Sequence, residues 1–274
     1  MKVTGRTVLI TGASYGIGAA TARAMAAKGG RVVLLARTRT ALEQVAEDIR
    51  QAGHTAYVYP VDLADADAIA CIARQITDEV GTPDIVIHNA GAGRWLSIEE
   101  TSPREGMEMM AVPYFAALCI TRAFVEDMLR RGEGHFVTVG SPAARIVWPG
   151  ATAYIASRWA LEGFTQALRA DLRGTGLRVS LVVPGIVDST YAAHNPGMQA
   201  RVPAVSNIGR RLSPEEVAEA IVTAVEKNRA VTVLPLWLRL FFLAHRAWPS
   251  LVVGIASATG WRRQNGPQLS NRRA

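Results

Sequence analysis

Three glycines, Gly12, Gly16 and Gly18, stand between a β-rich apolar run from Arg6 to Thr11 and a helical stretch from Gly16 to Lys28. Glycine lets a backbone turn tightly and come close to a ligand. The helix that follows directs N–H groups and the positive end of its dipole at an anion. The stretch Thr11-Gly12-Ala13-Ser14-Tyr15-Gly16-Ile17-Gly18 therefore reads as a pyrophosphate-binding turn. Its place between the first strand and first helix of a βαβ unit gives the glycine pattern its weight. Ala36 stands near the point where an NAD site carries an acid for the ribose hydroxyls. Arg37 and Arg39 bring positive charge there instead, which favours a 2′-phosphate and so NADP(H) over NAD(H).

A second group with chemical potential is Tyr154. It lies four residues before Arg158 in a stretch, Ala153 to Arg173, that reads as a helix, so the two side chains share one face. A free phenol titrates near ~10, and a fixed cation beside a phenol stabilises its anion. Arginine can anchor and polarise, but it cannot pass on a proton, because a guanidinium titrates above ~12. Carbonyl reduction needs a hydride donor, a proton donor for the developing alkoxide and a group that polarises the C=O bond.

Strands and helices alternate through most of the chain and would position these groups. Arg31 to Ala36, Thr55 to Val61, Asp84 to His88, His135 to Gly140, Leu177 to Val183 and Ala230 to Leu234 are short, apolar and rich in Val, Ile and Leu. Helical stretches fall at Thr40 to Gln51, Asp65 to Glu79, Pro103 to Arg131 and Ala153 to Arg173. Another starts at Ser213-Pro214-Glu215-Glu216 with an N-cap serine, a first-position proline and early acids. Alternating elements with apolar strands predict an α/β fold, a Rossmann-type doubly wound parallel sheet in a three-layer α/β/α domain. We place that domain at residues 1–234 and a C-terminal apolar, basic extension at residues 235–274.

With three further stretches, these residues resemble the short-chain dehydrogenase/reductase family. Asp62-Leu63 matches the family's adenine-contacting pair. His88-Asn89-Ala90-Gly91 matches its Asn-Asn-Ala-Gly motif with the first position changed. Ser141 precedes Tyr154 by 13 residues, the family's Ser–Tyr spacing. Pro184-Gly185-Ile186-Val187-Asp188-Ser189 matches the segment that meets the nicotinamide carboxamide, with Ser where Thr is common. The resemblance runs from about residue 4 to 234 and implies catalytic roles for Ser141, Tyr154 and Arg158. It implies cofactor binding by Gly12, Ser14, Tyr15, Gly16, Ile17, Gly18, Arg37, Asp62, Leu63, Asn89, Ala90, Gly91, Tyr154, Arg158, Pro184, Gly185, Val187 and Ser189. Tyr154 would donate the proton and Ser141 would bond the substrate oxygen. The family's Tyr-x-x-x-Lys is here Tyr154-Ile155-Ala156-Ser157-Arg158, and alignment sets Pro113 where the family carries an asparagine. Both departures remove parts of the usual proton relay. Two readings stay open: an NADP(H)-dependent carbonyl reductase or alcohol dehydrogenase that reprotonates Tyr154 by another path, or a nucleotide-binding module with impaired catalysis, acting in binding or at a membrane.

For the substrate we expect walls at Gly93-Arg94-Trp95-Leu96, at Pro142 to Trp148 and in the loop from Val187 to Leu212. Trp95, Trp148, Tyr191 and Met198 make an apolar pocket for a lipophilic small molecule, and His194 or Arg94 could meet a polar end. Tyr191 to Asn207 reads as a lid. Cys71 and Cys119 read as buried small hydrophobes, and the histidines show no metal-ligand spacing.

The net charge of +7 is concentrated at one end. Residues 231–274 hold six arginines and no acid, which leaves +1 on the first 230 residues. The basic balance is therefore no argument for a nucleic-acid partner. Within the apolar stretch from Val231 to Trp261 the longest uncharged run, Ala247 to Trp261, is interrupted by Pro249 and two glycines, so a clean membrane span is not expected. It reads either as a peripheral membrane contact or as a cover over a dimer interface or the substrate pocket. The opening residues lack a signal-peptide pattern, so a cytoplasmic location, with membrane association through the tail, is the expectation. The family resemblance implies a homo-oligomer.

Overall fold

The computed structural model describes residues 1–91, 93–189, 195, 198–207 and 210–262. Strands and helices alternate from the start: β1 (Thr7–Thr11), α1 (Gly16–Ala27), β2 (Arg31–Ala36), α2 (Arg39–Gln51), β3 (Ala56–Pro60), α3 (Ala66–Glu79) and β4 (Ile85–His88). Then come α4 (Pro103–Met110), α5 (Ala116–Arg131), β5 (Gly134–Val139), α6 (Thr152–Asp171) and β6 (Leu177–Pro184). The last elements are α7 (Pro214–Glu226), β7 (Val231–Leu234), α8 (Leu236–Ala247) and α9 (Pro249–Ala258).

The seven strands form one parallel sheet in the order β3-β2-β1-β4-β5-β6-β7. Successive side chains on a strand point to opposite faces, and here both faces are covered. Val8 and Ile10 join one core with Met25 of α1, Leu42 of α2 and Ile221 of α7. Leu9 and Phe136 join the other with Ile76 of α3 and Phe124 of α5. This explains why the strands read as continuous apolar runs. It is the expected three-layer, doubly wound Rossmann-type fold.

The first three strands build outward from β1 to one edge. The chain then crosses back to lay β4 against the other side of β1. The crevice beyond the C-terminal ends of β1 and β4 is thus a topological switch point, where folds of this kind bind ligands.

Several helix starts behave as their residues dictate. Ser213 caps α7 in a reciprocal pair with Glu216, with Pro214 in the first turn. Asp65 accepts the amides of Asp67 and Ala68 at the start of α3. The helical region expected from Pro103 to Arg131 is present, and it contains a π-helical turn at Ala111–Phe115 between α4 and α5. Pro113 lies inside that turn; it lacks an N–H, and its ring cannot sit against the preceding carbonyl.

The cysteine expectation needs correction. Cys71 is exposed and Cys119 is half-buried. The inward face of α3 is set by Ile69, Ala73 and Ile76, and Cys71 falls on the opposite side.

Phe124 is among the largest fully buried side chains. Phe124→Ala is expected to cost about 3–5 kcal/mol of stability, measured by urea unfolding. A loss within the scatter of surface substitutions would contradict the packing described.

Candidate active site

The β1–α1 turn depends on glycine at defined points. Gly12 and Gly16 have φ of 65° and 51°, in the left-handed region. A Cβ on Gly18 would lie 2.1 Å from the Gly12 carbonyl oxygen, so α1 presses directly on the turn. The first turn of α1 carries no acidic side chain to oppose an anion. Tyr15 is about half exposed beside it, and Ile17 packs partly against the sheet core. Ser14 lies between Gly12 and Gly16 in the same turn.

The turn is tied to the end of β4. The Thr11 hydroxyl donates to the Ile87 carbonyl at 3.2 Å and accepts the amides of Asn89 and Ala90, each at 3.0 Å. The Asn89 side-chain amide donates to the carbonyls of Thr11 and Gly12 at 3.0 and 3.2 Å. Asn89 therefore holds the cradle's backbone. Thr11 was not singled out as a site residue from sequence. Its signal is a hydroxyl on the last residue of a strand that enters a glycine turn. His88, at the altered motif position, is buried, stacked on Phe136, with Nε2 2.9 Å from Thr121 Oγ1. Burial pushes it down to about 3, so its ring is neutral.

Other sequence-predicted positions follow the C-terminal ends of β2, β3 and β6. Pro184 ends β6, and Val187 bridges to Leu212. Ser189 lies against Gly16, its Cβ 3.4 Å from where a Gly16 Cβ would be. Gly185 packs on Pro235. Arg37 is exposed just past β2, whereas Arg39 opens α2 and faces Glu43 at 3.7 Å. Leu63 is buried, and exposed Asp62 accepts the Ala64 amide at 3.0 Å.

The second cluster sits where β5 leaves the sheet. The Ser141 hydroxyl accepts the Ala143 amide at 3.2 Å and lies 3.4 Å from the Tyr154 hydroxyl. Tyr154 and Arg158 are one turn apart on α6 and both are buried. The Arg158 guanidinium carbon stands 4.8 Å from the Tyr154 ring centroid, a cation–π contact. It also fills the space beside Gly91, where a Cβ would lie 2.8 Å from both Nη atoms. Gly91 is thus a position where any side chain would displace the cation.

Trp95 packs on Tyr154 with ring centroids 5.0 Å apart, and on Trp148 at 5.2 Å. Met198 joins this cluster, so three members of the expected apolar wall are together. Tyr191 and His194, with residues 192, 193, 196 and 197 of the expected lid, lie outside the described residues. Arg94 is on the surface, paired with Glu105. Two further residues tie the loops and were not foreseen. The Asn195 side chain accepts the Gly93 amide at 2.8 Å. Arg201 pairs with Glu100 at 2.6 Å, donates to the Gly150 carbonyl and stacks on Trp261. Phe242, Val252 and Ala256 of the tail pack with Ile146, and Arg145 joins Phe242 to Glu162 of α6.

A family model described as short chain dehydrogenase matches residues 6–199. The chain belongs to the short chain dehydrogenase family. An uncharacterized oxidoreductase of Mycobacterium tuberculosis is 42% identical over 190 residues, 68% of this chain and 56% of that relative, so the chain spans little more than half of it. Ketoacyl reductase HetN of Nostoc is 33% identical over 232 residues, covering 85% of this chain and 79% of the relative. Among solved structures, a metagenomic short-chain oxidoreductase in complex with NADP is 30% identical with a TM-score of 0.71, covering 85% of this chain and 97% of that one.

In this short chain dehydrogenase, the hydrogen bonds from Arg201 are the leading cause that holds the Glu100 carboxyl down at about 2, from the ordinary 4.5. A depressed acid contributes stability that is present above its unfolded value and lost as pH falls toward its folded one. Part of the stability should therefore disappear as pH drops from about 4.5 toward 2. Glu100→Gln should lower the neutral-pH melting temperature and flatten this acid limb. Parallel acid limbs for both proteins would refute the pairing.

Proposed function

We propose that this chain is an oxidoreductase that transfers a hydride between NADP(H) and the carbonyl or alcohol carbon of a lipophilic small molecule. The observation that carries the reading is the Ser141 Oγ to Tyr154 OH approach of 3.4 Å with Arg158 against the phenol ring, adjoining the glycine turn. The turn fits a dinucleotide. It has two left-handed glycines, no acid in the first turn of α1, and a Gly18 where a Cβ would collide with backbone. A nicotinamide dinucleotide held there supplies or accepts the hydride.

The chain's own residues do the rest. Gly12, Ser14, Tyr15, Gly16, Ile17 and Gly18 hold the diphosphate, and Asp62 and Leu63 flank the adenine. Asn89, Ala90 and Gly91 line the cofactor's path, and Pro184, Gly185, Val187 and Ser189 meet the nicotinamide end. Arg37, exposed past β2, takes the 2′-phosphate and sets the preference for NADP(H) over NAD(H). Tyr154 holds the proton that passes to the substrate oxygen, and Ser141 donates a hydrogen bond to that oxygen. Arg158 stabilises the tyrosinate by its charge and can bond ribose hydroxyls. It releases no proton, and buried Pro113 offers neither side-chain amide nor N–H. The phenol is therefore recharged from solvent or through a different group. Trp95, Trp148 and Met198 give the substrate side an apolar wall, which suits a lipophilic carbonyl.

The competing reading, nucleotide binding with impaired catalysis, draws on Arg158 and Pro113 alone. The persistence of Ser141 beside Tyr154 argues against it.

With NADPH and a panel of carbonyls, Tyr154→Phe is expected to slow turnover by about 10²–10⁴-fold. Equal background oxidation by both proteins would sink the enzymatic reading. Arg37→Glu should weaken NADPH binding at least about tenfold, the scale of one charged hydrogen bond, with NADH binding little changed. Equal losses for both nucleotides, by calorimetry, would remove Arg37 from the 2′-phosphate site.

A further inference from the structure

The C-terminal helices present an apolar face to solvent. Leu236, Leu240 and Leu243 are 70%, 59% and 58% exposed. At spacings of four and three residues they share one side of α8. Trp248, at the corner, and Leu251 on α9 extend the exposed apolar surface. The inner sides are occupied differently: Leu238, Val252 and Ala256 are buried, and Phe242 packs with the Ile146 cluster. The exposed leucines are therefore not the side that the fold needs.

Arg239 and Arg246, each three residues after an exposed leucine, are exposed along the edge of the same face. No acidic residue occurs from 231 to 274. We propose that this face docks on an anionic lipid bilayer, with the leucines and Trp248 entering the acyl boundary and the arginines meeting the headgroups. A second copy is a poor occupant. Pairing the face with itself would set arginines against arginines with no acid in the segment to answer them.

The geometry favours lying in the surface over spanning it. α8 has 12 residues and α9 has 10, and they are bent by 119° at their junction. Each is roughly 15–18 Å long, well short of a hydrocarbon core of about 30 Å. This inference does not depend on hydride transfer, because lipid binding is read without substrate or cofactor.

The test is co-sedimentation of the full chain with vesicles of phosphatidylglycerol and phosphatidylcholine, against phosphatidylcholine alone. The protein is expected to pellet with the anionic vesicles at low salt and to stay in solution with neutral ones. Leu240→Glu with Leu243→Glu should cut partitioning by at least about tenfold. Arg239→Gln with Arg246→Gln should reduce it by roughly fivefold per arginine. Both variants change exposed side chains, and an unchanged melting temperature will show that they fold. Wild type remaining in the supernatant with anionic vesicles overturns the proposal, as does pelleting that neither variant weakens. A dimer that the leucine variant dissociates, with no vesicle binding, would assign the face to a second copy instead.

Discussion

The Thr11 hydroxyl joins the ends of β1 and β4 at one point. It donates to the carbonyl of Ile87 and accepts the amides of Asn89 and Ala90. The Asn89 side chain returns two bonds to the turn that Thr11 begins. Each such bond contributes on the order of 1 kcal/mol net, but leaving a buried partner unmade costs more. The arrangement therefore fixes the glycine turn relative to β4. Helix α1 packs on that turn with Gly18 against the Gly12 carbonyl. Hydrogen bonds from the neighbouring strand hold the glycine turn in place, and glycine permits its shape without enforcing it.

The same logic extends to the phenol. Helix α6 brings Tyr154 and Arg158 to one face, and β5 delivers Ser141 to the phenol oxygen. Arg158 is accommodated because Gly91, two residues beyond Asn89, has no side chain. The segment that pins the turn is thus the segment that makes room for the cation. A guanidinium is planar and larger than an ammonium, and it lies on the aromatic face as well as bearing charge. Its contact with the ring ties the orientation of Tyr154 to that of the β4 end.

The tail has two unlike faces. One supplies Phe242, Val252 and Ala256 to a cluster with Ile146, in the loop that leaves Ser141. Arg145 carries that contact to Glu162 of α6, and Arg201 links Trp261 to Gly150 and Glu100. The tail is thereby mechanically part of the body around the aromatic cluster of Trp95 and Trp148. The other face keeps its leucines in solvent.

Strand and helix periodicity, the glycine pattern and the proline-serine caps are local, so they were legible in the residues themselves. They sufficed for the parallel sheet, the order of elements and the β1–α1 cradle. Tyr154 and Arg158 were legible as one face of a helix, but the place of Ser141 beside Tyr154 came only through resemblance, because the 12 residues between them carry no local signal that they fold back on themselves. Contacts between distant segments had to wait for the tertiary structure. They include Gly91 against Arg158, Trp95 on Tyr154, Arg201 between Glu100 and Trp261, and the outward face of Cys71. The helical region through Pro113 was legible, but its π-helical turn was not. Composition says which residues favour burial, but which face of a helix is buried depends on what the rest of the chain places beside it.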